Sequence, residues 1–444
     1  MKNCIRLLPI IFIMILICGS EVRECNGYMK PTHEILNETI VTKGYGYSLN
    51  YYLVTNLSIS SGITQEFKKD GMSKRVVKWV GNGGMNEDEP NLVRNMHHFH
   101  DPLVEYWPNA GFKGVGISSA IWAQSLTQNR LTGTGSYSWH DAREYFHNAL
   151  TASDENIRNE NFADCFRGLG QQMHLVQDAS VPSHTRDDFH RYYHYEHYVN
   201  DNNGLVLGII SNPSNIPVVD PAIFRIPDYQ YTPSPTANLI DNNLYNGNNP
   251  EITIGMNAGL AEYANANFLS EDTIFLDYTF PSMSTSVVPV DNYIPDPRNP
   301  GNSVYRMYYY KTGDGDSDYP VAAINYFKNY HIRYVPWLDV DKIAYCYDGT
   351  LDRVCYEAYA RRLLPRAVAY SSELLRYFFR GDIDAVNAKE VKDASSEVTG
   401  MTMKVKNATA NEGMAGGGLV VSCRYKQADA TEYTYTKSAE AAIS

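Results

Sequence analysis

Between Asn161 and Asp178 the apolar residues fall at Phe162, Cys165, Phe166, Leu169, Met173 and Val176, the three-and-four spacing of one buried helix face. Ser138 ahead of WHDAREYFHNAL is a capped helix start, with Tyr145, Phe146, Ala149 and Leu150 forming its apolar side. Pro31 and Thr32 open a further helix over HEILNETIV. CYEAYARRLLPRAVAYSSELLRYFFRG predicts a long helix that Pro365 interrupts or restarts and Gly381 stops. These patterns predict a mainly α-helical body over residues 28–387. Two stretches, Asn200 to Pro250 and Phe280 to Asp318, are rich in Asn, Pro, Tyr and Gly without sustained periodicity. They are expected as long surface excursions that shape a substrate entrance. From about Ala388 the pattern changes again. MTMKVKNAT, GLVVSCRYK and TEYTYTK are β-rich and separated by small or polar residues, so three strands are expected within a segment 388–444. Three strands in so short a segment do not close a sandwich core. They are expected to pack on the helical body, to pair with another chain or to begin a larger β domain.

The chain has 444 residues, 43% hydrophobic and 20% charged, enough apolar material for a folded chain of two or three structural units. Its net charge of −12 gives no global positive field for nucleic acid or anionic lipid, so an anionic substrate has to be drawn in locally. At the start, Lys2 and Arg6 precede an apolar run from Leu7 to Cys18, the pattern of a secretory signal; the run is short of the ~20 residues that span a bilayer. Cleavage after Ser20 or after Gly27 is compatible with the small residues there, and a 1–27 leader makes the mature chain secreted or periplasmic. A lipoprotein cysteine at Cys18 is disfavoured by Ile17, where a small residue is expected. Cys346 and Cys355 flank YDGTLDRV and are expected either as a disulfide pair or as two buried thiols. No CxxC pair occurs, which excludes a zinc ribbon or a thioredoxin-type site.

Ten of the 12 histidines lie between His97 and His197, and this crowding points to a metal. In MHLVQDASVPSH, His174 and Asp178 are four apart on a predicted helix, so both project from one face, and His184 follows on the turn after Pro182. Downstream, TRDDFHRYYHYEHYV offers His190, His194, His197 and Glu196. His184, Glu196 and one of these histidines would make the three-ligand set of a hydrolytic zinc site with a position left for water. A helix starting near Tyr193 would turn His194 away from Glu196, which favours His190, with His194 in reserve. Upstream, Glu87, Asp88 and Glu89 precede His97, His98 and His100, a candidate carboxylate-plus-imidazole donor loop. His33, early in the first helix, is by itself a capping or surface histidine.

KPTHEILN, the EDEP segment leading to HHFHDP, and GLGQQMHLVQDASVPSH followed by YEHYV resemble, in the same order, the zinc-dependent phospholipase C family, which shares its helical fold with the single-strand-specific nucleases. The resemblance covers roughly residues 28–200, and the terminal helix fits the end of that fold. It implies three zinc ions per chain. Asp88, His98, His174 and Asp178 would hold one, Asp178 would bridge to a second that His33 also holds, and His184 with Glu196 would bind the third. The family's histidine four residues before that glutamate is replaced here by Tyr192, and His190 is the expected substitute. The family also uses a free N-terminal residue. Cleavage after Gly27 would expose Tyr28, five residues before His33, as that ligand.

What the resemblance implies is a secreted zinc phosphodiesterase, with Asp88 as proton acceptor for a zinc-activated water. Glu196 favours a phospholipase C cleaving between glycerol and phosphate, with transient contact with a membrane surface and no stable nucleic-acid complex. The Tyr28 to His33 spacing favours the alternative, a single-strand nuclease or nucleotidase. A third reading is a non-catalytic surface protein stabilised by its metals, and the loss of histidine at Tyr192 keeps it open. GxSxG and GxxxxGK signatures are absent from the sequence.

Overall fold

The computed structural model describes residues 28–442 apart from 92, 115, 189–193, 225–232, 274–277, 285–287, 297–298, 314–315, 325–348, 410–412, 414–416 and 427–433. The expected leader 1–27, the expected ligand His190 and the expected disulfide partner Cys346 fall outside the described residues; Cys355 itself is buried.

Four helices build the frame of the helical body: α1 (Lys30–Lys43), α2 (Val76–Asn86), α3 (Trp139–Thr151) and α4 (Glu155–Asp178). Pro31 pre-sets the first turn of α1, and Gly44, at φ 65°, closes it with its N–H on the Ile40 carbonyl. Ser138 and Asp141 form the capping box that starts α3, as its sequence predicts. Asp154 caps α4 by accepting from the N–H groups of Asn156 and Ile157, so this helix begins one and a half turns earlier than its apolar periodicity shows.

Helix α4 is the axis of the body: α2 and α3 pack along it, and α1 touches it as well. The crossing with α2 is close because two glycines meet there. A Cβ on Gly170 would lie 2.1 Å from the Val80 carbonyl oxygen, and one on Gly83 would lie 2.2 Å from that of Arg167. All side chains from Gly168 to Asp178 are buried, so the polar residues of this stretch lie inside the body and not on a solvated face.

Beyond α4 come α5 (Pro182–Thr185), α6 (Tyr195–Asp201), α7 (Asn203–Ile210), α8 (Pro235–Ile240), α9 (Leu260–Asn267) and α10 (Arg353–Phe378). The stretch 200–250 is therefore not a plain surface excursion: α8 is buried against α4, and Asn242 is buried with it. Helix α10 runs through Pro365 without a break. Leu363, Leu364, Ala367 and Val368 on both sides of the proline are buried, and their packing outweighs the one lost hydrogen bond.

A hairpin, β1 (Glu66–Lys69) with β2 (Met72–Arg75), precedes α2. The second expected excursion contains β3 (Val288–Asp296) and β4 (Asn299–Tyr310), which with β5 (Pro320–Ile324) and β6 (Gly349–Thr350) form an antiparallel sheet in sequential order. The C-terminal segment carries more strands than expected. β7 (Ile383–Lys392) pairs with β8 (Val398–Asn407) and already starts before Ala388; β9 (Gly418–Leu419) pairs with β12 (Ala441–Ala442), and β10 (Ser422–Tyr425) with β11 (Thr434–Lys437). The β7–β8 ribbon is exposed along nearly its whole length. The Arg158 guanidinium of α4 lies 4.1 Å over the Tyr435 ring of β11. Among the described residues no helix is long and apolar enough to cross a membrane.

Candidate metal centre

The buried end of α4 gathers ligands from four segments. His174 and Asp178 project together from α4, as their four-residue spacing predicts, and His33 reaches them from α1. Asp88 follows the end of α2, and His98 follows a short 3-10 turn at Asn95–His97. All five are fully buried. His33 is thus a core residue beside the α4 ligands, against the capping or surface role it has when taken alone.

Two sets of donor atoms converge within the span of a single ion: Asp88, His98 and His174, and His33, His174 and Asp178. His98 Nδ1 lies 3.2 Å from His174 Nε2, 2.9 Å from Asp178 Oδ2 and 3.5 Å from Asp88 Oδ1. His174 Nε2 lies 3.0 Å from Asp178 Oδ2 and 3.9 Å from Asp88 Oδ1. A cation bound at ~2.0–2.2 Å in a tetrahedron has corners about 3.3–3.6 Å apart, and these five separations bracket that edge. On the other oxygen of Asp178, His33 Nε2 lies 3.1 Å from Oδ1. The His33 ring stacks on His174 at 3.6 Å, so the two positions are neighbours across one carboxylate.

Hydrogen bonding explains why the donor atoms face inward. His174 Nδ1 lies 2.6 Å from the Gly84 carbonyl, which can only accept, so Nδ1 carries a hydrogen directed away from the cluster. Among the described residues, His33 Nε2 and all four oxygens of Asp88 and Asp178 have no hydrogen-bond partner of acceptable geometry. Buried polar atoms left in this state cost ~1–3 kcal/mol each. A cation in the centre removes that cost, so the residues present fit a metal ion on their chemistry as well as on their spacing.

The two carboxylates are under opposite pulls. Burial tends to raise both; His174, His33 and His184 outweigh it at Asp178 and hold that group well below the usual carboxylate range. At Asp88 burial wins over His174, and the group is pushed well above that range. Burial likewise lowers His98 to about 3, which keeps its ring neutral and able to ligate.

A second cluster adjoins the first. His184, on α5, has Nδ1 3.8 Å from Asp178 Oδ2 and Nε2 3.1 Å from Glu196 Oε1. Phe99 stacks on its ring at 4.5 Å, and the His100 N–H donates to its carbonyl at 2.8 Å. His194 departs from its expected direction. It is the residue before α6, extended at φ −138° and ψ −173°, and its Nδ1 lies 2.9 Å from Glu196 Oε2. The helix starts at Tyr195 and not near Tyr193, and that shift turns His194 toward the glutamate. Tyr28 is buried, its ring 5.8 Å from that of His33, and its hydroxyl is hydrogen-bonded to Ser180 and Tyr195.

Several supporting residues have no motif to mark them. Glu87, next to Asp88, is ion-paired with buried Arg94 and accepts from the Trp122 indole at 2.7 Å; Arg94 also donates to Gln171 at 2.8 Å. His100 stands outside both donor sets, and its ring bridges Ser118 Oγ at 2.6 Å and Asp241 Oδ2 at 2.7 Å, all three buried. Helix periodicity does not reveal them: Gln171 lies opposite the apolar stripe of α4, where a solvated residue is expected, and is buried all the same. No family model, curated protein or solved structure matches the chain.

Proposed function

We propose that the chain is a secreted zinc-dependent phosphodiesterase, foremost a phospholipase C that hydrolyses the bond between glycerol and phosphate at a membrane surface. The observation that carries this reading is Asp178. One of its oxygens faces His33 and the other faces His98 and His174, so the carboxylate would hold one cation on each oxygen. His184, Glu196 and His194 supply nitrogen and oxygen donors for a third position, with His190 as the further candidate from the sequence.

Bound zinc would supply positive charge beside the phosphoryl and leaving oxygens and lower the pKa of a bound water toward ~7. The chain itself divides the remaining work between its carboxylates. Asp178, which faces imidazoles on both oxygens, is suited to bridging; Asp88, buried beside His98 and His174, would take the proton of the water. The local cations also answer the acidic net charge of −12, because the attraction for a phosphodiester arises at the centre and not over the surface. Cleavage after Gly27 would set the amine of Tyr28 close to His33, where Tyr28 is already buried.

The test is metal analysis of the secreted chain together with hydrolysis of a phosphatidylcholine analogue and of single-stranded DNA. Three zinc ions per chain and lipid hydrolysis are expected. A chain that purifies without metal and gains no hydrolysis of either substrate on zinc addition would overturn the reading. Hydrolysis of DNA alone would transfer it to the nuclease branch, which the five-residue step from Tyr28 to His33 favours. N-terminal sequencing that begins at Glu21 would remove Tyr28 from the site.

A further inference from the structure

Behind His33 runs a line of amides whose direction is fixed by the backbone. Asn37, one helical turn after His33 on α1, is buried, and its side-chain nitrogen lies 3.2 Å from the carbonyl of Val80 on α2 and 3.2 Å from that of Gly170 on α4. Carbonyls only accept, so the atom facing both must be the amide nitrogen, and the oxygen of Asn37 points the other way. There it meets Gln177 at 2.7 Å, which forces Gln177 to present its NH2 group; the same group lies 3.4 Å from Ser371 Oγ on α10. The remaining atom of Gln177, Oε1, then faces His33 Nδ1 at 2.7 Å and can only accept. Nδ1 therefore carries a hydrogen. The tautomer with its single hydrogen on Nε2 is excluded, and neutral His33 presents a lone pair toward Asp178 Oδ1 at 3.1 Å.

We propose that Asn37 and Gln177 are positioning residues that lock His33 as its Nδ1–H tautomer and thereby set the affinity of the cation position between His33 Nε2 and Asp178 Oδ1. The inference rests on the metal reading given above. It is specific to one position. His174 takes its tautomer from the Gly84 carbonyl, so the position shared by Asp88, His98, His174 and Asp178 does not depend on the amides. Three elements meet in the relay: the two carbonyls that orient Asn37 sit at the glycine crossing of α2 and α4, and the packing of those helices is thereby transmitted to the choice of nitrogen at His33.

The experiment compares zinc binding at buffered free zinc, read as ions per chain, in the full secreted protein and in Gln177→Leu and Gln177→Glu. Leucine removes the acceptor facing Nδ1, whereas glutamate keeps it. Gln177→Leu is expected to weaken one ion by about 10–100-fold while the others titrate as in wild type, and Gln177→Glu to recover most of that affinity. Identical isotherms for wild type and Gln177→Leu would overturn the proposal while leaving the metal reading intact; a wild-type chain that binds no zinc would overturn both. Should Gln177→Leu fail to fold, the nitrogen-15 signals of His33 in metal-free wild type decide. A hydrogen on Nδ1 supports the relay, and a neutral ring with its hydrogen on Nε2 refutes it.

Discussion

Stripping the metal from this chain is expected to lower its thermal midpoint by at least about 7 °C, counting only the two cation positions that share Asp178. The perturbation is dialysis against a chelator, and its size follows from the number of ions that bind the folded state alone. Two positions share Asp178, and neither exists once α1, α2 and α4 separate, because their ligands come from residues as far apart as His33 and Asp178. An ion at a hundredfold excess over its dissociation constant stabilises the folded state by ~2.7 kcal/mol, so two contribute about 5 kcal/mol. A helical body of roughly 350 residues unfolds with an entropy of about 0.7 kcal/mol/K, which converts that loss to about 7 °C. That figure already contains the relief of the folded chain's buried donors, because their cost enters the dissociation constants. Removing the ions leaves His33 Nε2 and the four oxygens of Asp88 and Asp178 buried without partners among the described residues, at ~1–3 kcal/mol per group. Calorimetry of chelated, zinc-restored and calcium-treated samples measures the shift. Zinc should restore the midpoint and calcium should not, since nitrogen ligands disfavour a hard cation. A midpoint that moves by less than about 2 °C on chelation of a zinc-loaded sample would refute the claim that these buried donors share their cost with a metal.

Three further outcomes are expected. Glu87→Gln leaves the buried Arg94 without its charged partner and should cost ~3–5 kcal/mol in urea unfolding; a loss below 1 kcal/mol would mean that Gln128 and Gln171 suffice for Arg94. Gly170→Ala places a methyl group 2.1 Å from the Val80 carbonyl oxygen, so α2 and α4 must move apart. It should destabilise by ~1–3 kcal/mol and release metal, and wild-type zinc content would show that the crossing does not set the site. In the metal-free chain burial holds His97 down at about 4 and His98 at about 3, against ~6.5 when unfolded. Between pH 6.5 and 4 each of these histidines binds more protons when unfolded and so contributes a loss of stability as pH drops, up to ~1.4 kcal/mol per pH unit each, while Asp88 and Glu262, raised by burial, contribute with the opposite sign. His97→Gln should therefore change the pH slope of stability by the contribution of that one histidine, and identical slopes for wild type and variant from pH 6.5 to 5 would contradict this.

The centre was legible in the sequence where its ligands are close along the chain. His174 and Asp178 sit one turn apart on a helix that its own periodicity reveals, and their meeting follows from helix geometry alone. His33 and Asp88 join them only through packing, by way of Gly83 and Gly170; from the residues alone His33 is indistinguishable from a capping histidine. His194 shows how much depends on a helix boundary. With α6 starting at Tyr195, an extended backbone precedes the helix and the ring swings toward Glu196; a start two residues earlier would have turned it away. The β3–β4 hairpin escaped notice because Pro289, Pro295 and Pro300 and a register shift between Val290 and Tyr293 break the alternation that marks a strand. Pro365 misled in the opposite sense: local chemistry marks an interruption, while buried neighbours on both sides keep α10 continuous.

The end of α4 is buried all round, yet it carries Gln171, Gln172, His174, Gln177 and Asp178. Each of the three glutamines is fixed by a residue distant in the chain. Gln171 accepts from Arg94 at 2.8 Å; Gln172 accepts from Thr236 at 2.7 Å and donates to the Tyr137 carbonyl at 2.8 Å; Gln177 joins Asn37 to His33. Apolar contacts alone would hold the helix in place but leave its rotation loosely determined, since they lack direction. Hydrogen bonds add that direction, and an amide with both ends engaged can be satisfied in only one orientation. The buried polar residues of α4 outside its apolar stripe therefore belong to the same construction as His174 and Asp178. They fix the rotation of the helix about its axis, and with it the direction in which the two ligands of α4 point. Leucine at Gln171 or Gln172, neither of which faces His33, should accordingly weaken the metal held by His174 and Asp178, which apolar substitutions of equal cost to stability on the α3 side of α4 should not do.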